Sequence, residues 1–379
     1  MKTKMKTKIF HVCPNFLPVY GGIESFVYES SKELAKRGYD VTVVTGDKIP
    51  KKNAALPARQ EIDGIHVRRF PFRKFSRYNT SVEALKFIVE SNFDILHIHG
   101  LGFFSDAIPI IKLSGAGKKV DKKVVLSTHG GIFHTRAMMP LKRLYFNTMT
   151  RIAARYADKI IAVSRQDMDF MKKIADRKKL IHIGNGIYWR KFSRIKRAGN
   201  GKTLIFVGRL AKSKRIDRAL YALSEVKKSI PSVRMFVIGE DWGERRNLQA
   251  LARRLGLEKN VIFTGSISDV KLSHYLSKSD VFLLPSEYEG FGISAVVAMA
   301  SGLPVIGSDI DAMREIITDG KNGFLLDYAD SKKVAGTILS LIESKKARLR
   351  IGRNARIYSK RYDWPKIVRS LDKVYQRLQ

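Results

Sequence analysis

Ser286-Glu-Tyr-Glu-Gly-Phe-Gly-Ile-Ser-Ala-Val-Val-Ala-Met-Ala-Ser-Gly-Leu-Pro-Val305 is the stretch that decides the fold of this chain. It follows the apolar run Asp280-Val-Phe-Leu-Leu284, which reads as a buried strand, and it opens a helix predicted from about Gly292 to Ala300. Gly302 stops that helix, and Pro304-Val-Ile-Gly307 begins another strand. A carboxylate, two glycines and a helix N-terminus therefore meet at the carboxyl end of a parallel strand, where open α/β sheets bind ligands. The free backbone N–H groups of such a helix start suit a phosphate.

The same alternation runs outward in both directions. Strands are expected at Lys8–Cys13, Asp40–Thr45, Ile65–Phe70, Asp94–His99, Lys123–Thr128, Lys159–Ser164 and Leu180–Gly184. Further on they are expected at Thr203–Gly208, Val233–Gly239, Val261–Gly265, Asp280–Pro285, Pro304–Ser308 and Gly323–Leu326. Amphipathic helices lie between many of them, such as Ile23–Arg37, Arg215–Ser229 and Glu244–Leu255. Continuous apolar strands alternating with helices mean parallel sheets covered on both faces. The pattern pauses at Tyr188–Lys202, which is basic and lacks an apolar period, so the domain boundary is placed there. The expected fold class is α/β, with two Rossmann-like doubly wound domains, 1–188 and 189–363, facing a cleft. The last helix, Trp364–Leu378, repeats apolar residues at helical spacing and is expected to pack back on the first domain.

At 379 residues the chain exceeds one ordinary core, and 44% hydrophobic with 28% charged residues is a globular composition. Its single cysteine, Cys13, precludes an internal disulfide and fits a reducing compartment. The basic start is followed by too short an apolar run for a signal peptide. No run approaches the roughly 20 residues of a membrane span. These features predict a cytoplasmic location, with a peripheral position on the inner face of the plasma membrane as a further expectation. Lys and Arg number 71 against 35 Asp and Glu, a formal charge of +36. Such a surface attracts polyanions, whether nucleic acid, anionic lipid or nucleotide phosphate, and is equally consistent with a solvated Lys-rich shell.

Several loops carry candidate chemistry. Arg209 and Lys214 follow the strand ending at Gly208, where two cations can clamp a diphosphate. Gly21 and Gly22 lie between the first strand and its helix, and permit close backbone approach to a ligand. They form no GxGxxG fingerprint, so no nicotinamide cofactor is expected. His129 ends a strand in Ser127-Thr-His-Gly-Gly131, with His134 nearby. His97 and His99 share one strand face and read as packed strand-end residues. Carboxylate and thiol partners at metal-ligand spacing are missing, so no metal site is expected.

In order, the chain also carries Ile183-Gly-Asn-Gly-Ile187, Gly-Arg-Leu-x-x-x-Lys at 208–214, Phe263-Thr-Gly265, Glu-Gly-Phe-Gly at 289–292 and Asp319-Gly-Lys-Asn-Gly-Phe324. Together with the Gly-Gly and Thr-His-Gly segments, this set resembles the retaining glycosyltransferases of family 4, which have the GT-B fold. The resemblance covers essentially the whole chain. It implies transfer of a sugar from a UDP- or GDP-sugar with retention of anomeric configuration, no cofactor and no required metal. It implies that Arg209 and Lys214 bind the donor diphosphate, and that Glu289 with Gly290, Phe291, Gly292, Ile293 and Ser294 holds the donor. Gly22 would sit near the diphosphate, and His129 would contact the donor sugar beside the reacting carbon. His129 and Glu289 are thus the implied catalytic pair, and no protein nucleophile is assigned.

Three positions depart from the family pattern. A second glutamate is usual eight residues after the first, holding the ribose, and that place is Val297. A lost hydrogen bond to a charged group costs roughly 1.5–3 kcal/mol. Tyr188 replaces the usual aspartate after Asn-Gly-Ile, and the loop after the 304–308 strand is acidic, Asp309-Ile-Asp311.

The acceptor is expected on the first domain. Arg68, Arg69, Arg73, Lys74 and Arg77 interleave with aromatic residues. A helix predicted over Pro140–Arg155 sets Leu141, Leu144, Tyr145, Met149 and Ile152 beside Lys142 and Arg143, with Met138 and Met139 before it. Both segments suit an anionic membrane surface and a lipid-linked acceptor. The competing expectation buries those apolar positions in the core. Two other functions remain open at this point: a catalytically silent relative that binds a sugar nucleotide or a partner, suggested by Val297, and a basic nucleic-acid binder. No helix-turn-helix or zinc-finger pattern supports the latter, and no nucleic-acid partner is expected.

Overall fold

The computed structural model describes residues 6–49, 54–75, 78–114, 122–130 and 139–379. The chain divides into two compact units, Met1–Gly186 with Trp364–Gln379, and Ile187–Asp363. The expected linker is structured: Trp189–Ser193 is a short helix, with Ile187 and Phe192 in the core of the second unit.

The first unit is built on an eight-stranded sheet. Its strands are β1 (Lys8–Val12), β2 (Asp40–Gly46), β3 (Arg59–Ile62), β4 (Ile65–Phe70), β5 (Ile95–His99), β6 (Lys123–Ser127), β7 (Lys159–Ala162) and β8 (Leu180–His182). Their order is β8-β7-β6-β5-β1-β2-β4-β3, parallel except for the antiparallel edge β3. β3 was not expected, because its exposed Arg-Gln-Glu carries no apolar run. Buried Val, Ile and Phe side chains fill both faces of the sheet in two clusters. Helix α1 (Gly22–Lys36) and helix α5 (Trp364–Gln376) pack together on one face. Trp364, Ile367, Val368, Leu371, Val374 and Tyr375 of α5 are buried there, so the last helix does complete the first core.

The second unit carries β9 (Thr203–Val207), β10 (Arg234–Ile238), β11 (Val261–Gly265), β12 (Val281–Leu284), β13 (Val305–Ser308) and β14 (Phe324–Leu326), with helices α2 (Ile216–Ser229) and α3 (Arg245–Arg254) among their connections. Their order, β11-β10-β9-β12-β13-β14, is wholly parallel. This is the doubly wound order in which chain direction reverses between the first strand and the fourth. The reversal lies between β9 and β12 here, and between β1 and β5 in the first unit. These two switch points position the candidate site residues.

Candidate functional site

At the switch point of the second unit, two loops are tied together. The loop after β9 turns tightly, with Ala211 N–H donating to Arg209 O and Lys214 N–H to Ala211 O, both at 2.9 Å. The loop after β12 joins it through Glu287 N–H to Ser213 O at 2.9 Å. Lys214 Nζ then donates to Glu289 Oε1 at 2.6 Å, and Ser286 Oγ donates to the same oxygen at 2.7 Å. The Lys214 and Glu289 side chains are only 14% and 11% exposed, so their charges pair in a partly dry setting. Arg209 stays exposed, its guanidinium 4.3 Å from the Trp242 ring centre. Trp242 anchors in turn by its indole N–H to Glu240 Oε2 at 2.9 Å and its backbone N–H to Leu210 O at 3.0 Å.

Gly292 caps α4 (Ile293–Ala300) at φ +92, and a Cβ there would lie 2.3 Å from Met313 Cε. The left-handed backbone favours glycine here, and a side chain would also have to push the end of Met313 aside. The cap offers no side-chain hydrogen bond to the first turn, which leaves the helix N–H groups to another acceptor. Ile293, Ser294 and Val297 are half-buried on this helix. The Phe291 ring is buried in the core against Tyr362, which leaves its backbone as the part offered to a donor. The acidic loop is also less negative than its sequence suggests. Arg314 pairs with Asp309 at 2.7 Å and Asp311 at 3.4 Å, and holds the Asp309 carboxyl below the usual carboxylate range.

In the first unit, Gly22 is the exposed first residue of α1, and a Cβ there would meet nothing. A Cβ on Gly21 would lie 2.3 Å from the end of the Glu24 carboxylate, which would have to swing aside. Glu24 is buried and accepts from Asn15 Nδ2 at 3.2 Å. An acid therefore already sits at this helix start, where the sequence suggested a diphosphate neighbour.

His129 lies just past β6 with φ +50, followed by Gly130 at φ +81. Asp167 secures the turn, accepting from Thr128 Oγ1 at 2.5 Å and from Gly130 N–H at 3.0 Å. The half-buried His129 ring meets Phe26 edge-on and places Nε2 2.9 Å from His99 Nδ1. His99 Nε2 is 2.8 Å from His11 Nδ1, because the register of β1 beside β5 sets His11 opposite His97. His97 lies between Tyr375 Oη of α5 at 2.6 Å and Ser127 Oγ at 2.7 Å. Burial drives the pKa of His11 and of His129 down to about 3, and holds His97 and His99 well below the ordinary value. All four rings are neutral at physiological pH.

Ring nitrogens of His11, His97 and His99 lie within 4.8 Å of one another, the spacing of a possible metal set. Every hydrogen-bonding nitrogen of His97 and His99 already has a partner, however, and a metal would have to displace them.

Among the basic candidates, Arg69 is corrected. It is 4% exposed, and its guanidinium donates to the carbonyls of Pro57 and Leu17 at 3.0 and 2.9 Å. Arg68 lies over the Phe87 ring at 5.3 Å. Arg77, Gly131, His134 and Met138, and the side chains of Arg73 and Lys74, lie outside the described residues. The helical run Met139–Tyr156 is interrupted by a π-turn at Phe146–Thr150. Phe146, Ala153 and Ala154 face the core, but Leu141, Leu144, Met149 and Ile152 are 52%, 60%, 48% and 43% exposed. The expectation that those four belong to the core is overturned. Lys142 is half-buried and Arg143 exposed beside them. Among the described residues, no helix is long and apolar enough to cross a membrane.

Comparison with known proteins agrees with this architecture. Residues 20–188 match the model described as Glycosyltransferase Family 4, and residues 188–358 match Glycosyl transferases group 1. The GDP-mannose:cellobiosyl-diphosphopolyprenol alpha-mannosyltransferase of Xanthomonas oryzae pv. oryzae is 31% identical over 378 residues, 98% of this chain and 97% of the relative. The phosphatidyl-myo-inositol mannosyltransferase of Mycobacterium leprae is 28% identical, over 97% of this chain and 96% of the relative. Among solved structures, sucrose-phosphate synthase from Thermosynechococcus elongatus superposes with TM-score 0.78 at 19% identity, covering 98% of this chain and 99% of that one. Anabaena HepE in complex with UDP and glucose superposes with TM-score 0.76 at 21% identity, covering 98% and 100%. At these identities the two structures establish the shared fold.

Proposed function

The chain belongs to the family 4 glycosyltransferases, glycosyl transferases group 1, and from that premise we propose that it transfers mannose from GDP-mannose to an amphiphilic, lipid-linked acceptor. Two similar proteins whose names state a mannosyl transfer, one to a diphosphopolyprenol-linked sugar and one to phosphatidylinositol, favour this donor and acceptor class. The observation that carries the donor half is the Lys214–Glu289 pair at the β9/β12 switch point, beside the glycine-capped start of α4.

In this reading Arg209 and Lys214 bind the diphosphate and offset the negative charge that grows on it as the sugar leaves. Two fixed cations and the α4 N–H groups do the work a divalent ion does elsewhere, so activity persists in excess chelator. Glu289 and the backbone of Gly290–Gly292 hold the sugar hydroxyls, with Ser294 and Val297 toward the nucleoside. His129 contacts the transferred sugar, and the anomeric configuration is retained.

The acceptor half draws support from Leu141, Leu144, Met149 and Ile152, which expose apolar surface between Lys142, Arg143, Arg151 and Arg155. A basic helix with an uncovered apolar stripe suits an anionic bilayer. In a panel of GDP-, UDP- and ADP-sugars, GDP-mannose should raise the unfolding temperature most. Product analysis with polyprenyl-diphosphate-linked and phosphoinositide acceptors then identifies the acceptor. No stabilisation by any nucleotide sugar would sink the donor assignment. Equal flotation with neutral and anionic vesicles, or with neither, would sink the membrane assignment.

A further inference from the structure

His11, His99 and His129 form a continuous line of imidazoles through the switch point of the first unit. His11 Nδ1 meets His99 Nε2 at 2.8 Å, and His99 Nδ1 meets His129 Nε2 at 2.9 Å. All three rings are neutral, so each carries one proton. A donor nitrogen must meet a bare one at each contact, which leaves the line only two registers. In one, all three protons sit on Nδ1, and in the other all three sit on Nε2.

The far end of the line selects between them. His11 Nε2 is buried and has no hydrogen-bond partner. A proton there would leave a buried N–H without an acceptor, whereas a proton on Nδ1 leaves only a lone pair unmatched. Orphaned buried N–H groups are the rarer of the two. We propose that His11 and His99 are positioning residues that lock His129 in the tautomer protonated on Nδ1, so that the turn after β6 presents a fixed N–H donor. The other face of the assembly is rigid for the same purpose. His97 is held by Tyr375 of α5 and by Ser127, its ring centre 4.0 Å from that of His99, and Asp167 pins the turn itself. Among the described residues His129 Nδ1 has no hydrogen-bond partner, and the ring is half-buried, so that nitrogen can meet a ligand. A fixed donor suits a sugar hydroxyl or ring oxygen and rejects a group that can only donate. The ligand side of this inference rests on the reading that His129 contacts the transferred sugar.

The test uses the full chain labelled with 15N-histidine, with long-range 1H–15N spectra near neutral pH and His129 assigned by its loss in His129→Gln. The expected pattern is a pyrrole-type Nδ1 and a pyridine-type Nε2. The reverse pattern, an averaged pair, or a charged ring overturns the proposal. So does a stoichiometric transition metal in the purified protein, because it would occupy these nitrogens. His99→Phe cuts the line, and should average the two His129 resonances and lower kcat about tenfold, the weight of one hydrogen bond. His99→Asn keeps an amide N–H at the place of ring Nδ1, and should restore the fixed tautomer and most of the rate. Equal spectra for His99→Phe and wild type overturn the proposal, and if that variant does not fold, the wild-type spectrum still decides. Full transfer activity in His129→Gln removes the sugar contact, while the spectrum judges the tautomer independently.

Discussion

Lys214 Nζ and Glu289 Oε1 stand 2.6 Å apart although 75 residues separate them in sequence. The contact joins the loops that leave β9 and β12, the two strands between which the second sheet reverses direction. Ser286 bonds the same carboxylate oxygen, so the acid is held from two sides before any ligand arrives. On the proposed reading, a donor that displaces Lys214 from Glu289 would replace that charge contact with its own phosphate, while Glu289 turns to sugar hydroxyls.

Lys214→Met should therefore act on both stability and binding. It leaves a largely buried carboxylate with Ser286 alone, a loss between that of an exposed and a buried pair, about 2 kcal/mol in the second unit. GDP affinity should fall about tenfold or more, read by titration calorimetry. Glu289→Gln keeps the Ser286 bond and should lower kcat far more than GDP affinity. Wild-type GDP affinity in Lys214→Met would contradict the diphosphate role.

Arg209 is aimed by Trp242, over whose indole its guanidinium lies at 4.3 Å. An exposed cation–π contact is worth about 0.5–1 kcal/mol. Trp242→Ala should weaken GDP binding roughly two- to fivefold, and Trp242→Phe should recover part of it. If both variants bind like wild type, Arg209 is not held for the ligand by this ring.

Much of this was readable in the residues. All thirteen expected strands form, within two residues at their ends, because continuous apolar runs between turn residues leave few alternatives. The edge strand β3 escaped, since an exposed antiparallel edge needs no apolar alternation. Arg69 was misplaced despite an available signal: Ile65, Val67 and Arg69 share one face of β4, and the first two are plainly core. The parts of the site that stayed hidden depend on contacts across the sheet. His11 looks like an ordinary strand residue until β1 pairs with β5, and Asp167 reaches Thr128 over 39 residues. Whether Leu141 and Leu144 are core or surface turned on which side of the helix Phe146, Ala153 and Ala154 occupy, and periodicity alone leaves that open.

Val297 lies half-buried on α4, one turn beyond Ile293 and eight residues after Glu289 in sequence. Val297→Glu puts a carboxylate where the family usually holds the ribose. One hydrogen bond to a charged group is worth about 1.5–3 kcal/mol, so GDP affinity should rise roughly tenfold or more. Little stability should be lost, because the side chain is only partly covered. Transfer by the wild type, with tighter donor binding in the variant, fits an active enzyme that tolerates valine. A silent wild type rescued by glutamate would instead favour the non-catalytic relative.

Acid should unfold the first unit before the second. His11 and His129 have folded pKa values of about 3 against an ordinary 6.5, and His97 and His99 are lowered in the same direction by burial. Between those limits the unfolded chain binds more protons than the folded one, so stability rises with pH there. His11 and His129 contribute fully above about pH 6.5 and lose stability progressively as pH falls toward 3, and His97 and His99 lose it in the same direction. The second unit contains one histidine, His274. Hydrogen exchange resolved by peptide, followed from pH 7 to pH 4, should show β1, β5 and β6 losing protection while β9 and β12 keep theirs. His11→Phe removes one of these groups, so its loss of stability over the same range should be shallower than that of wild type. Parallel loss of protection in both units, or an unchanged slope in His11→Phe, would show that the buried imidazoles do not set the acid limit of this fold.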